Sequence, residues 1–226
     1  MCGRYSFSTT ADKLKAQFGE LELGHNLRIN FNIAPTQYAY VITNKYPNRL
    51  DYFRWGLIPY WAKDSKNAAR LINARMEGIS AKPSFRVPIR KRRCLVLADS
   101  FYEWKKKGKT KIPFRILPDK DELLVMAGIW DVWYHGEEPV YTFSIITTEP
   151  SKDVAHVHNR MPLIFSSPAQ WDKWLSDLSI DEVLSMLLPP EDGLLRMYQV
   201  SDKVNYVKNN SPDLHDKPEG PATLFD

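Results

Sequence analysis

Cys94-Leu95-Val96-Leu97, Phe101-Tyr102-Glu103-Trp104-Lys105, Ile112-Pro113-Phe114-Arg115-Ile116-Leu117, Leu123-Leu124-Val125-Met126-Ala127-Gly128-Ile129-Trp130 and Tyr141-Thr142-Phe143-Ser144-Ile145-Ile146-Thr147-Thr148 follow one another with mostly turn residues between them. Each run is rich in β-branched, aliphatic or aromatic residues and is broken by Pro, Gly, Asn or Asp, which is the pattern of short strands. Strands that follow strands pair antiparallel. A parallel doubly wound sheet is disfavoured, because its crossovers need helices and no glycine-rich phosphate loop opens one here. Working outward, Tyr38 to Thr43, Tyr52 to Trp55 and Leu195 to Val200 read as further strands. Thr9 to Phe18 predicts a short amphipathic helix, with Asp12 completing a capping box on Thr9 and Gly19 as the stop. Ser167-Pro168-Ala169-Gln170 and Ser179-Ile180-Asp181-Glu182 predict two more capping boxes, the first with proline at the first helical position and the second helix ended by Pro189-Pro190. The expected fold is α+β, a curved or barrel-like, mostly antiparallel β core flanked by helices, as a single domain over residues 1–208. A poorly ordered tail is expected over 209–226, which is polar and punctuated by Pro212, Pro218 and Pro221.

With 226 residues, 43% of them hydrophobic, the chain can bury a full core as one domain. Cys2 and Cys94 are the only cysteines, no signal segment leads the chain, and no apolar run approaches the length of a membrane span. A reducing cytoplasm, with no membrane partner, is the expected setting. Cys94 reads as a buried strand residue, so zinc is not supported and no other metal or cofactor is expected. The net charge of +4 is unevenly spread. Arg86, Arg90, Lys91, Arg92 and Arg93 precede one strand, and Lys105, Lys106, Lys107, Lys109 and Lys111 surround Gly108, which suits a polyanionic partner. The second cluster reads equally well as a solvated hairpin tip, which makes the first the better candidate.

The chain opens Met1-Cys2-Gly3-Arg4, so loss of Met1 leaves a cysteine carrying a free α-amine. An α-amino group has a pKa near 7.7 to 8.0 against about 10.4 for lysine, so at pH 7 about one such amine in seven is neutral, against about one lysine in 2,500. That amine can attack an aldehyde to form an imine. The thiol on the same residue is then held beside the imine carbon, and its addition closes a five-membered thiazolidine with a large effective-molarity advantage. A small second residue also serves merely to permit methionine removal, and a lone cysteine is commonly inert. Position alone does not decide between these readings.

Four polar clusters stand apart from the core pattern: Asn73-Ala74-Arg75-Met76-Glu77, Phe101-Tyr102-Glu103-Trp104, His158-Asn159-Arg160-Met161-Pro162 and Ser201-Asp202-Lys203-Val204-Asn205. Together with the opening Cys-Gly-Arg-Tyr, Asn32-Ile33-Ala34-Pro35 and Trp55-Gly56-Leu57-Ile58-Pro59, they resemble, in order from Met1 to about Asn210, the SOS response-associated peptidase (SRAP) family of abasic-site processing proteins. The resemblance implies a protein of the DNA damage response that binds single-stranded DNA, including single-strand/double-strand junctions. It implies covalent capture of abasic sites through the terminal cysteine as a thiazolidine, shielding the lesion. It also implies autoproteolytic exposure of that cysteine, hydrolase chemistry with AP-lyase activity, and a monomer that is nucleoid-associated when bound to DNA. Carried over by motif, Cys2 is the nucleophile, Asn73 orients cysteine and sugar, Glu103 handles protons and His158 assists imine chemistry. Arg4, Arg75 and Arg160 map to phosphate contacts, with Arg86 and Arg90 as further candidates, and Trp61 and Pro35 map to positions that stack on or wedge beside the flanking bases. A glutamate held among Phe101, Tyr102 and Trp104 should have its pKa raised by desolvation toward that task. Trp55 and Trp104 are expected in the core. Ser100 departs from the glycine the family commonly places there. Two other readings compete: a thiol peptidase acting on other proteins through Cys2, His158 and Asn73, and a noncatalytic nucleic-acid-binding module.

Overall fold

In the computed structural model, which describes residues 2–23 and 26–218, nearly every side chain from Leu124 to Trp133 is buried on both faces of one long strand. That strand is a stave of a closed barrel. In chain order the strands are β1 (Tyr5–Phe7), β2 (Glu22–Leu23), β3 (Asn30–Ile33), β4 (Tyr38–Thr43), β5 (Tyr46–Trp55), β6 (Asn73–Arg75), β7 (Arg93–Ala98), β8 (Ser100–Lys107), β9 (Thr110–Pro118), β10 (Leu124–Tyr134), β11 (Pro139–Thr148), β12 (Met161–Pro162), β13 (Ile164–Phe165) and β14 (Leu195–Gln199). The helices are α1 (Ala11–Phe18), α2 (Pro88–Lys91), α3 (Lys152–Ala155), α4 (Pro168–Leu175) and α5 (Ile180–Ser185). The barrel runs β11-β10-β7-β4-β5 with antiparallel neighbours, and a parallel seam of β5 on β11, Arg54 against Thr142 and Trp55 against Phe143, closes it. Closure removes both free edges. A second, five-stranded sheet runs β14-β9-β8-β1-β3, and the chain passes from barrel to sheet at Asp99, between β7 and β8. The mostly antiparallel, barrel-containing α+β core is the one expected.

Close packing sets the residue at β10's centre. A Cβ on Gly128 would lie 2.8 Å from both Cys94 Sγ and Val96 Cγ2, so no side chain fits where β7 and β10 face each other. Asp99 holds the crossover, accepting hydrogen bonds from the Ser6 and Ser8 hydroxyls and from the Ser8 N–H. Ser100 is used in the same network: its hydroxyl lies 2.6 Å from that of Ser6 and accepts from Arg115 Nε at 2.8 Å.

Four expectations are corrected. Thr10, not Thr9, caps α1, accepting from Lys13 N–H, while Gly19 ends the helix at φ 73° as expected. The segment from 209 to 218 is folded: Pro212–His215 forms a 3₁₀ turn, Leu214 is fully buried, and Tyr198 donates to the His215 carbonyl at 2.8 Å. The rest of the expected tail, 219–226, lies outside the described residues, as does Met1. Trp104 is only half-buried and donates from Nε1 to Asn205 Oδ1 at 2.7 Å, whereas Trp55 is in the core as expected. The first basic cluster is partly structural. Arg93 is 1% exposed and spends its guanidinium on the carbonyls of Trp174, Ile89, Arg90 and Ser176, and Arg92 pairs with buried Asp131.

Between β3 and β4 the chain turns through Ala34-Pro35-Thr36-Gln37, with Gln37 N–H donating to Ala34 C=O at 3.1 Å and Thr36 at φ 71°. This is a type II arrangement, in which proline suits the first central position and glycine the second. A β-branched residue there carries strain on the order of 1–3 kcal/mol. Thr36→Gly is therefore expected to stabilise the fold by about 1 kcal/mol, after the added freedom of the unfolded glycine is subtracted, and to raise the melting temperature by about 2–4 °C. Calorimetry checks it, and a fall would mean that the threonine side chain holds the turn.

Candidate active site

Two sheets that share no strand meet at the chain's beginning. Cys2 precedes β1, which pairs with β8 in the register Tyr5 to Phe101, so Glu103 is carried on the neighbouring strand. Asn73 opens β6, which lies parallel to β11 on the barrel with Asn73 opposite Ile145. His158 follows α3, and β12 next to it returns to β11. Odd-numbered Phe101 and Glu103 face the barrel, while Tyr102 on the opposite side packs with Val200, Val204 and Leu214. The structure thus brings Cys2, Asn73, Glu103 and His158 from distant parts of the chain to one junction.

Asn73 Nδ2 donates to the Cys2 carbonyl at 2.7 Å, which fixes the residue that would carry the nucleophile. Its Oδ1 is buried and accepts no hydrogen bond among the described residues, leaving an acceptor for an amine or a sugar hydroxyl. The Cys2 thiol is fully buried and lies 3.9 Å from the Arg4 carbonyl. Burial pushes its pKa well up and the Glu103 carboxylate adds to that, so the resting sulfur holds its proton. Glu103 is 3% exposed, and burial pushes its carboxyl up to about 7. A carboxyl poised there is present in both forms near neutral pH and can give or take a proton. His158 Nε2 lies 3.9 Å from Glu103 Oε2. Its Nδ1 sits 3.1 Å from both the N–H and the C=O of Arg160, so the neutral ring finds a donor and the protonated ring an acceptor without moving. Burial, first, and the nearby charge of Lys106 hold the His158 pKa below its ordinary value.

The arginines are less free than their spacing suggested. Arg4 Nη1 donates to Asn32 Oδ1 at 2.8 Å and to the Val204 carbonyl at 2.7 Å, and its guanidinium lies 5.9 Å from the Trp104 ring. Asn32 completes the clip by donating from Nδ2 to the carbonyls of Val204, Tyr206 and Asn209. Arg160 grips Glu77 with both nitrogens, at 2.6 and 3.1 Å, and the Thr147 carbonyl at 2.6 Å. Arg75 is exposed on β6. Arg86, just before α2, and Arg90, within it, are exposed and joined by a hydrogen bond from Arg90 Nη1 to the Arg86 carbonyl, and no hydrogen bond or ion pair among the described residues ties either to the quartet. Pro35 is half-buried, and Trp61 is 53% exposed on the Pro59–Ala62 turn. Tyr60, its equally exposed neighbour, had no assigned role; its backbone N–H is anchored on Asp131 at 3.0 Å. The doublet of aromatics after Pro59 was the available signal. Glu77 and Asn32, quoted in motifs without a role, also emerge here as partners of the two arginines.

A surface groove of about 670 Å³ lies elsewhere, between β9 and the C-terminal segment. Its cations Lys111, Lys203 and Lys217 are matched by Asp202, Asp213 and Asp216, and none of the quartet lines it.

The model of the SOS response associated peptidase (SRAP) family matches residues 1–207. The chain is 42% identical to the abasic site processing protein YoaM of Bacillus subtilis, over 96% of this chain and 98% of that one. It is 37% identical to the abasic site processing protein HMCES of Gallus gallus, over 71% of this chain and 55% of that one. A crystal structure of a Bacteroides thetaiotaomicron protein superimposes with a TM-score of 0.86 at 30% identity, over 96% of this chain and all of that one. Among the described residues no helix is long and apolar enough to cross a membrane.

Proposed function

The chain belongs to the SOS response-associated peptidase family, and from that premise we propose that it binds single-stranded DNA and captures abasic sites covalently through the α-amine and thiol of Cys2 once Met1 is removed. The observation that carries this reading is the convergence of Cys2, Asn73, Glu103 and His158 from two different sheets. The abasic sugar is mostly a closed hemiacetal, so a protonated Glu103 gives its proton to the ring oxygen as the bond from that oxygen to the anomeric carbon breaks, and the anomeric hydroxyl returns its proton to the Glu103 carboxylate to leave the aldehyde. The amine nitrogen then bonds to the aldehyde carbon, and the carbinolamine hydroxyl leaves as water to give the imine. Sulfur adds to the imine carbon last, its proton passing through the Glu103 carboxylate to nitrogen. A thiol that keeps its proton suits this order, in which the amine acts first. Asn73 and His158 hold the cysteine backbone and the sugar hydroxyls, and His158 exchanges protons with Glu103.

The two competing readings fare less well. A thiol peptidase needs a thiolate stabilised by its histidine, and here burial keeps the thiol protonated while the imidazole faces Glu103. A binding module without chemistry has no use for a buried carboxyl poised near neutrality. Intact-mass measurement of the purified protein with an abasic oligonucleotide tests the proposal. The expected product weighs the chain without Met1 plus the oligonucleotide less one water. A chain that loses Met1 and gains no such mass would refute it.

Arg75 and Arg160 are proposed phosphate contacts, and Glu77 sits beside them as the anion a phosphate must displace or approach. Removing one like charge about 6 Å from a phosphate relieves about 0.7 kcal/mol in water, roughly threefold in affinity. Glu77→Gln is expected to tighten binding of oligonucleotide carrying a stable tetrahydrofuran abasic analogue by that factor, read by fluorescence anisotropy. Weaker binding would mean that Glu77 chiefly holds Arg160 in place.

A further inference from the structure

The quartet lies toward one end of the barrel, and the other end carries a different surface. Strands β5 and β11 lie parallel and both run toward the quartet. Trp55, at the end of β5, donates from Nε1 to the Ile72 carbonyl beside Asn73, and Asn73 lies opposite Ile145 on β11. Tyr46 and Tyr141, near the beginnings of the same two strands, both line a cavity of about 240 Å³ at the far mouth. Along β11 that mouth is four residues, about 13 Å, from Asn73's partner Ile145. Barrel mouths are a common place for a small ligand.

One wall of the cavity is aromatic. The Phe53 ring stacks on Tyr141 at 5.0 Å and meets Trp130 at 5.8 Å; Phe53 and Trp130 are buried, while Tyr141 remains 37% exposed. The facing hairpin between β4 and β5 supplies the charge. Tyr46 carries two cations, with the Arg49 guanidinium 3.7 Å and the Lys45 ammonium 5.0 Å from its ring. Asp51 stands opposite Val41, on the inward side of β5 with Phe53, and its side chain is only 12% exposed. It accepts from Arg49 Nε at 2.8 Å and from the Thr43 hydroxyl at 3.4 Å. Among the described residues Nε makes the one hydrogen bond of that guanidinium, so both Nη groups keep their donors, and Lys45 makes no ion pair.

A barrel end that needed only to be closed would be sealed by apolar side chains, because an inward carboxylate costs desolvation. Here the carboxylate aims a guanidinium, and with two cations against one anion the cavity is net positive. An arginine fork with its outer edge open matches a phosphate, and the ring wall matches a planar base. The volume is below the roughly 300 Å³ of a full small-molecule pocket, so it takes one ring system and leaves the rest of the ligand at the rim, where Lys45 and Arg49 stand. We propose that this mouth is a second binding site, for a nucleoside monophosphate whose base lies against Tyr141 and whose phosphate is held by Arg49 and Lys45. It asks nothing of Cys2 and stands apart from covalent capture.

Titration of the full chain with deoxyadenosine monophosphate, followed by ligand-observed NMR, tests the site. Saturable binding with a Kd below about 1 mM is expected, and deoxyadenosine without its phosphate should bind at least about tenfold more weakly. Tyr141→Ala should weaken nucleotide binding at least about fivefold by removing the stack, and Arg49→Gln about tenfold. Because Arg49 also holds Asp51, Lys45→Gln is the second cationic variant, exposed and without an ion pair, with an expected loss of about threefold. Lys173→Gln, an exposed charge change on α4 outside the cavity, should bind as wild type. No saturable binding, equal affinity for the nucleoside, or a Kd unmoved in both Tyr141→Ala and Lys45→Gln overturns the site. Competition with oligothymidylate identifies the source of the nucleotide. Displacement only by a strand phosphorylated at its 5′ end assigns a strand terminus, and no displacement assigns the free nucleotide. Equal displacement by phosphorylated and unphosphorylated strands would put the nucleotide on the DNA-binding face and overturn the second site.

Discussion

Cys2→Ala is expected to abolish the heat- and denaturant-resistant adduct with abasic single-stranded DNA, lowering its yield at least about 100-fold, while reversible binding to the tetrahydrofuran analogue stays within about twofold. The margin follows from the chemistry. Alanine at position 2 still permits removal of Met1, so an α-amine remains and an imine can still form. What is lost is the intramolecular sulfur, whose effective molarity for ring closure is on the order of 10⁵ M or more. The variant's imine should survive only when reduced with borohydride, whereas the wild-type linkage should need no reductant. The substitution removes one buried sulfur and should cost about 1–2 kcal/mol, too little to unfold a domain of this size. Gel electrophoresis of boiled samples, with and without borohydride, separates the cases. A resistant adduct from unreduced Cys2→Ala would eliminate the thiazolidine, and loss of analogue binding as well would point to misfolding instead.

Long apolar runs were the legible part of the fold. Tyr38–Thr43 matches its observed bounds, and the runs that became β7 to β11 differ from the observed strands by at most four residues at either end; for β7 and β10 this is because barrel strands covered on both faces read as continuous hydrophobic segments. Both capping boxes on α4 and α5 are present, since their hydrogen bonds are local and depend on four neighbouring residues. The first half of β5 was hidden by Pro47 and Asn48, which read as a breaker; a register shift between Ile42 and Thr43 lets the pairing continue past them. Strands of two to four residues such as Asn73–Arg75 are too short to show a period, and they exist through tertiary pairing. The quartet was nameable by motif, but nothing local says that Asn73 bonds the Cys2 carbonyl or that His158 faces Glu103. Those contacts depend on barrel closure at β5 and β11, a pairing that joins residues about 90 apart in the chain. The fate of charge was the least legible. Arg93 and Lys107 look alike as letters, yet one is buried under four carbonyls and the other is exposed.

Glu103→Gln should slow adduct formation by about 10² to 10⁴, the usual worth of a positioned acid–base group, and should also change the shape of the pH profile. In the proposed mechanism the wild-type reaction needs a protonated Glu103 at the ring oxygen and a neutral α-amine at the carbonyl carbon. Glu103, raised to about 7, loses its proton as pH climbs, while the amine, with a pKa near 7.7 to 8.0, becomes available over the same range. Their product is a bell centred midway, at about pH 7.4. Glutamine cannot titrate, so the variant's residual rate should rise through pH 8 and level off, with no alkaline decline. Stability should move the other way. A carboxyl whose folded pKa is raised keeps its proton in the native state at pH values where the unfolded chain has released it. Native protein is therefore penalised progressively from the ordinary carboxylate range up to about pH 7, and the penalty is complete above that. Glu103→Gln removes it, so the variant should melt higher than wild type at pH 8 and close to it at pH 4. A merely structural glutamate could account for the stability change but not for the lost alkaline limb. An unchanged bell in the variant would assign the titration to other groups and take the proton-transfer role away from Glu103.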